Sequence, residues 1–206
     1  MRFVGVILIV AACGGRSHEP VLGGPDGSVG GNHKHVFVTD AAWTGDFWIQ
    51  SGDWPSSFGP DQADVLCSNA AVGAGLGGTW KAWISSYGTS SPTSHAAQLA
   101  ADRIKDVGPW YLIGTETVVF NNKANLLNTP LAQIDVNEHG VALQGVPVWT
   151  GTRVGGQVLE DCGEWQTQDD QVTGTLGDSI GLGNYWTQES SAPCRSTQAH
   201  LYCFEQ

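Results

Sequence analysis

Four cysteines, Cys67, Cys162, Cys194 and Cys203, are the residues of this chain best placed for covalent chemistry. They lie downstream of an N-terminal apolar leader, and outside the cytosol an even set of thiols is oxidised in pairs. Four cysteines allow three pairings, and the residues alone do not choose among them. All four are expected to be committed to disulfides, which leaves no thiolate to attack a substrate. His33-Lys34-His35 forms a second constellation, two imidazoles that could share one metal ion, zinc being the usual choice for such ligands. Tryptophan is the third signal, with nine copies. Trp43, Trp48 and Trp54 fall in a Gly-, Ser- and Pro-rich stretch from Trp43 to Pro60, and Trp186 follows the Gly-rich run Gly177 to Asn184. Indoles held in loops stack on sugar faces or apolar partner surfaces, so Trp48, Trp54 and Trp186 are the candidate ligand-binding residues.

Catalytic patterns are weaker. Gly73-x-Gly75-x-Gly77-Gly78 follows a helix and enters a strand, the reverse of the order phosphate binding requires. Ser94-His95 has no nucleophile elbow around it, and no carboxylates are paired at a useful spacing. Calcium-dependent sugar binding needs a carboxylate/amide pair around a proline and a Trp-Asn-Asp strand; Gly59-Pro60-Asp61 only brushes the first. No catalytic residue is assigned, and the chain is expected not to be an enzyme.

These residues must be positioned by a mixture of helices and short strands. His35 to Thr39 has strand composition. Asp61-Gln62-Ala63-Asp64 opens a helix, with Ala63, Leu66, Cys67, Ala70, Ala71 and Ala74 at three- and four-residue intervals, so that Cys67 faces inward. Thr79 to Ile84 alternates as a strand, with Trp80 and Trp83 inward along with Trp149 and Trp165 further on. A second helix is predicted from Ser94 to Val107. Short strands follow at Trp110 to Ile113, Thr117 to Phe120, Val146 to Thr150 and His200 to Phe204. Two early helices before a loop-rich β half point to the α+β class.

The ends and the charge set the context. Met1-Arg2 and the apolar run Phe3 to Val10 are too short to span a bilayer. Val10-Ala11-Ala12-Cys13 resembles the bacterial lipobox, which implies a signal peptide over residues 1–12 and a lipid on Cys13. Residues 13–31 then read as the lipidated cysteine and a flexible Gly-rich tether, and 32–206 as one domain. The whole chain carries nine Lys and Arg against 20 Asp and Glu, and loses Arg2 with the leader. So acidic a surface repels nucleic acid and heparin-type polyanions, whose binding rests on basic side chains.

Beyond composition, Ala63-Asp64-Val65-Leu66-Cys67 and the segment Gly75-Leu76-Gly77-Gly78-Thr79-Trp80-Lys81-Ala82-Trp83-Ile84-Ser85-Ser86 resemble the endostatin domain of collagens XV and XVIII. Asp102-Arg103, Pro109, Val148 to Thr152, Cys162-Gly163-Glu164-Trp165, Cys194 and Leu201 to Glu205 continue the likeness across nearly the whole domain. The resemblance implies a C-type-lectin-like fold with a twisted mixed β-sheet, two helices, long loops and two disulfides. It also implies the pairing, Cys67–Cys203 and Cys162–Cys194. Endostatins hold zinc with histidines and an aspartate. Registering the two through Val36 to Gly45 places His35 on one family histidine and His33 beside it, while the aspartate falls at Thr115 with Glu116 adjacent. The implied metal set, His33, His35 and Glu116, is therefore incomplete. Endostatin's glycosaminoglycan binding uses clustered arginines and is not carried over, since the domain has only Arg103, Arg153 and Arg195.

The expectation is an exported cell-envelope lipoprotein, anchored in the outer membrane or at the cell surface by its N-terminal lipid. Its domain recognises a protein or glycan, as an adhesion or binding module that needs no cofactor. The alternatives are a zinc-binding structural envelope protein and, ranked last, a hydrolase.

Overall fold

The computed structural model describes residues 33–51, 59–88 and 96–206. The expected signal peptide, Cys13 and the tether lie outside these residues, as do Trp54 and Ser94-His95. The architecture is α+β, with two sheets. The larger sheet has five strands: β1 (Lys34–Val38), β2 (Trp80–Ala82), β3 (Trp110–Leu112), β4 (Val118–Phe120) and β8 (Tyr202–Glu205), in the order β2-β8-β1-β3-β4. β8 runs antiparallel to both β2 and β1, β1 is parallel to β3, and β3 is antiparallel to β4. The second sheet is antiparallel: β5 (Pro147–Trp149), β6 (Thr173–Asp178) and β7 (Ser190–Pro193), with β6 central. A parallel bridge from Val148 to His200 joins the sheets just before β8.

The first long helix, α2 (Gly59–Gly73), buries Ala63, Leu66, Cys67 and Ala71 against this sheet, the face the spacing predicts. It ends in a Schellman motif: Leu76 N–H donates to the Ala71 carbonyl at 2.8 Å and Gly75 N–H to Val72 at 3.0 Å. Gly75 takes φ +76°, a left-handed conformation that favours glycine. Asp64 is nearly buried on α2 and gathers the charges around it. Its Oδ2 meets Arg103 Nη2 at 2.6 Å and Lys81 Nζ at 2.5 Å, while Oδ1 accepts from Ala82 N–H.

The second predicted helix is shorter than its periodicity suggests. Among the described residues of that span only α3 (Ala100–Arg103) is helical, and Ile104 is already extended. Gln98 exchanges two backbone hydrogen bonds with Ser86, which holds it in an extended bridge and keeps it out of a helix. Ser85 Oγ then accepts from Ala100 N–H at 2.9 Å. Tertiary pairing overrides local periodicity here.

Besides β6 and β7, three elements give no clear signal in the sequence. The first is a turn of 3-10 helix at Lys123–Leu127, and the second is α1 (Phe47–Ser51), inside the stretch read as loop. Asp46 Oδ1 accepts from Trp48 N–H at 3.1 Å, as an N-cap does. The third, α4 (Cys162–Trp165), is a left-handed turn: φ is +51° at Cys162, +58° at Gly163, +63° at Glu164 and +62° at Trp165. Left-handed turns cost L-residues roughly 1–2 kcal/mol each. The surroundings impose it. Cys162 is bonded to Cys194, and Trp165 is fully buried, stacked on Phe47 and donating Nε1–H to the Ser85 carbonyl at 2.9 Å.

Both disulfides are formed, Cys67–Cys203 and Cys162–Cys194, with Cα separations of 5.5 and 5.6 Å, inside the usual range. One ties α2 to β8 and the other α4 to the residue just after β7.

Candidate functional site

Of the tryptophans singled out as recognition residues, the structure describes Trp48 and Trp186. Trp186 is 2 % exposed, packed 4.8 Å from Trp83, 5.2 Å from Phe120 and 5.9 Å from Tyr202 between ring centroids. It is a core residue, which corrects the expectation of an exposed loop indole. The Gly-rich run before it is also partly strand, since Gly177 and Asp178 end the central strand β6. Trp48 sits half-buried on α1. Trp80, Trp83, Trp149 and Trp165 are buried, as expected.

The two histidines face different carboxylates, His33 the expected Glu116 and His35 another. His33 stacks on Tyr111 with centroids 4.3 Å apart and comes within 3.9 Å of Glu116. His35 instead meets Glu205, Nδ1 to Oε2 at 3.1 Å, and Lys34 reaches the other oxygen at 3.2 Å. Register explains this: Val36 pairs with Phe204, so Glu205 at the end of β8 lies beside His35, whereas Glu116 falls beyond β3. Burial raises the Glu205 carboxyl pKa, but the hydrogen bonds from His35 and Lys34 outweigh it and hold the group below its ordinary value of 4.5. Among the described residues, no group of three or more His, Cys, Asp or Glu is arranged to hold a metal ion. His33, His35 and Glu116 therefore do not converge.

A concavity of about 270 Å³ lies elsewhere, where three backbone segments meet over the Trp83–Trp186 pair. The 3-10 turn forms one wall. Asn122 caps it by accepting from Asn125 N–H at 3.1 Å, which buries Leu126 and leaves Leu127 at the rim. The tight turn Arg153 to Gly156 forms the opposite wall. It is closed by Arg153 N–H to the Gln157 carbonyl at 2.8 Å and Gly156 N–H to the Arg153 carbonyl at 2.9 Å. Gly156 takes φ +83°, a conformation that favours glycine, and a Cβ there would push aside only the exposed end of Leu127. Residues Gly183 and Asn184 form the third side.

Hydrogen bonds hold the floor rigid. Trp83 Nε1–H donates to Thr187 Oγ1 at 2.9 Å, Thr187 Oγ1 donates to the Thr152 carbonyl at 3.3 Å, and Thr150 Oγ1 donates to the Thr187 carbonyl at 2.6 Å. Among the described residues Arg153 is the only charged one on the lining, which carries no described Asp, Glu, His, Ser or Cys. The cavity opens past Val154 onto a shallow shelf bounded by Tyr185, 61 % exposed, and Gln188, itself fixed by accepting from Val154 N–H at 3.0 Å.

Of this lining, sequence reasoning singled out Trp186 alone. The rest comes from Trp83 and from segments far apart in the chain, and the further signal available was glycine: Gly155-Gly156 and Gly181-x-Gly183, where backbones turn sharply next to Arg153 and Asn184.

The chain matches no protein-family model and no curated protein.

Proposed function

We propose that the protein is a non-catalytic binding module that recognises a protein or glycan through the cavity over Trp83 and Trp186. The observation that carries this reading is the cavity itself: a preformed concavity with a hydrogen-bonded floor and one guanidinium. Concave sites that combine apolar side chains with placed polar groups bind small ligands or one unit of a larger one, and Trp83, Trp186, Asn128, Thr129 and Asn184 supply both here. Chemistry on a bound ligand needs a nucleophile with a base, or a pair of carboxylates. The lining offers hydroxyls of Thr129 and Thr187 and no base to activate either.

The wider reading is that of an endostatin-like domain with a C-type-lectin-like fold, displayed outside the cytoplasm on a tether lipidated at Cys13. Two disulfides in the order the resemblance implies, and the burial of its motif tryptophans, support that assignment. Among the described residues no helix is long and apolar enough to cross a membrane, so anchoring in this reading rests on the lipid. Cys13→Ser is expected to move the protein from the membrane pellet to the soluble fraction.

Binding is tested on glycan and peptide arrays with the wild type and Thr129→Trp, a substitution at an exposed rim position that plugs the mouth. The proposal expects array ligands to be lost in Thr129→Trp with an unchanged melting temperature. Ligands that bind the plugged variant as well as the wild type would move the site elsewhere, and turnover of a bound ligand would make the protein an enzyme.

A further inference from the structure

Granting that the cavity binds a ligand, we infer that the ligand is a neutral glycan, one pyranose unit of which lies on the adjoining shelf against the ring of Tyr185. The first argument is the ring itself. Among the described residues two tyrosines are more than half exposed, Tyr87 at 56 % and Tyr185 at 61 %. The Tyr87 hydroxyl is spent on the Val158 carbonyl at 3.2 Å, whereas the Tyr185 side chain has no hydrogen bond among the described residues. The Tyr185 backbone is fixed all the same. Its N–H donates to the Leu182 carbonyl at 3.2 Å, its own carbonyl accepts from Asp178 N–H at 2.9 Å, and the next residue, Trp186, is buried. An aromatic face mounted rigidly in water is a stacking platform, and the C–H face of a pyranose is apolar with polar edges, as such a ring is.

Hydrogen bonding is the second argument. Val154, Gly183, Asn184 and Gln188 complete the shelf, with no charged residue among those described. The Gln188 amide is preset: its oxygen accepts from Val154 N–H at 3.0 Å, so its NH2 group is the part left for a ligand. The Asn184 amide is exposed and has no hydrogen bond among the described residues, while its main-chain carbonyl holds the turn by accepting from Gln188 N–H at 2.9 Å. Amides carry donors and acceptors together, as sugar hydroxyls do. A peptide fits less well. An extended one takes its affinity from main-chain bonds to a free sheet edge, and a proline-rich one docks on a groove lined with aromatic rings. Here the N–H groups of Arg153, Val154, Gly156, Tyr185, Thr187 and Gln188 all donate within the protein, and the shelf has one ring. The third argument is continuity. The shelf shares Val154, Gly183 and Asn184 with the cavity, so the next sugar unit meets Asn128 and Thr129, a further amide and a further hydroxyl.

The test probes an array of neutral, sialylated and uronic acid oligosaccharides with the full-length protein, followed by titration calorimetry of the neutral ligands found. The expected result is binding to neutral glycans that EDTA leaves unchanged, since the described residues of shelf and cavity offer no carboxylate for a bridging cation. Tyr185→Ala should weaken binding by about tenfold, and Tyr185→Phe by less than about threefold because the ring face is kept. Gln188→Glu keeps the acceptor for Val154 N–H, removes the donor, and should weaken binding by about fivefold. An array with no neutral ligand, loss of binding in EDTA, or a Tyr185→Ala variant that binds as tightly as wild type would overturn the inference. Peptide ligands lost in Thr129→Trp with every sugar silent would overturn it and leave the binding cavity standing. Sugar binding lost in Tyr185→Ala yet indifferent to Thr129→Trp would uphold the shelf and remove the cavity from the site.

Discussion

Replacing Cys67 and Cys203 together by alanine should destabilise the protein more than the same treatment of Cys162 and Cys194. The bonds close spans of 136 and 32 residues. In the chain-entropy model, cross-links of those lengths stabilise by about 5 and about 3.7 kcal/mol respectively. The shorter bridge is nested inside the longer and shortens its effective loop, which narrows the gap to about 1 kcal/mol. All four cysteines are fully buried, so the packing lost with each sulfur is similar for both pairs and largely cancels. At roughly 2–4 °C per kcal/mol for a protein of this size, losing the Cys67–Cys203 bond should lower Tm by about 10–20 °C. Losing Cys162–Cys194 should lower it by about 7–15 °C. Urea unfolding under oxidising conditions, with both double variants and wild type side by side, measures the difference. A larger loss for Cys162→Ala/Cys194→Ala, or a Tm shift below about 5 °C for Cys67→Ala/Cys203→Ala, would refute the reasoning from loop length.

Other expectations follow from close packing and from buried charge. A Cβ on Gly45 would stand 2.3 Å from Cys162 Sγ and 3.1 Å from Cys194 Cβ, so Gly45→Ala should destabilise by about 1–3 kcal/mol in chemical denaturation through overpacking alone. Because Glu205 titrates below its ordinary value, the stability it lends is present above pH ~4.5 and is lost as pH falls through its folded-state pKa. Glu205→Gln should therefore lower stability at neutral pH, by about 2 kcal/mol for the lost charged hydrogen bonds, and a pH series should show the difference from wild type vanishing in acid. Asp46 behaves oppositely, since burial raises its pKa against the opposing hydrogen bonds from Ile49 and Trp48. Asp46→Asn keeps the cap acceptor without the buried charge and should match or exceed wild-type stability at neutral pH, whereas Asp46→Ala should lose about 1 kcal/mol in the same thermal melts.

Much of the scaffold was legible before any coordinates. The three- and four-residue spacing from Ala63 to Ala71 predicted α2 and put Cys67 inward, because a helix that buries one face must repeat with its own period. Short β-branched and aromatic runs marked β1, β3, β4, β5 and β8 to within a residue or two for the same kind of reason, a strand's side chains alternating between faces. Where a neighbour decides the backbone, local pattern failed. Gln98 is extended because Ser86 pairs with it, and Cys162 to Trp165 turn left-handed because a disulfide and a buried indole hold them there.

The candidate site was hidden for a related reason. Loop composition around Trp186 reads as exposed, yet its indole fills the space between Trp83 and Phe120, a space that exists only once both strands are in place. His35 found Glu205 rather than Glu116 because strand register, which spans the length of the chain, sets which carboxylate lies alongside. The amino-acid sequence by itself determined α2, the strands β1 to β5 and β8, the commitment of four thiols and the acid excess, since these depend on residue types and on neighbours a few positions away. Only the tertiary structure decided that Arg153, Asn184 and Leu127 surround one cavity, because a concavity belongs to the meeting of distant segments and has no local code.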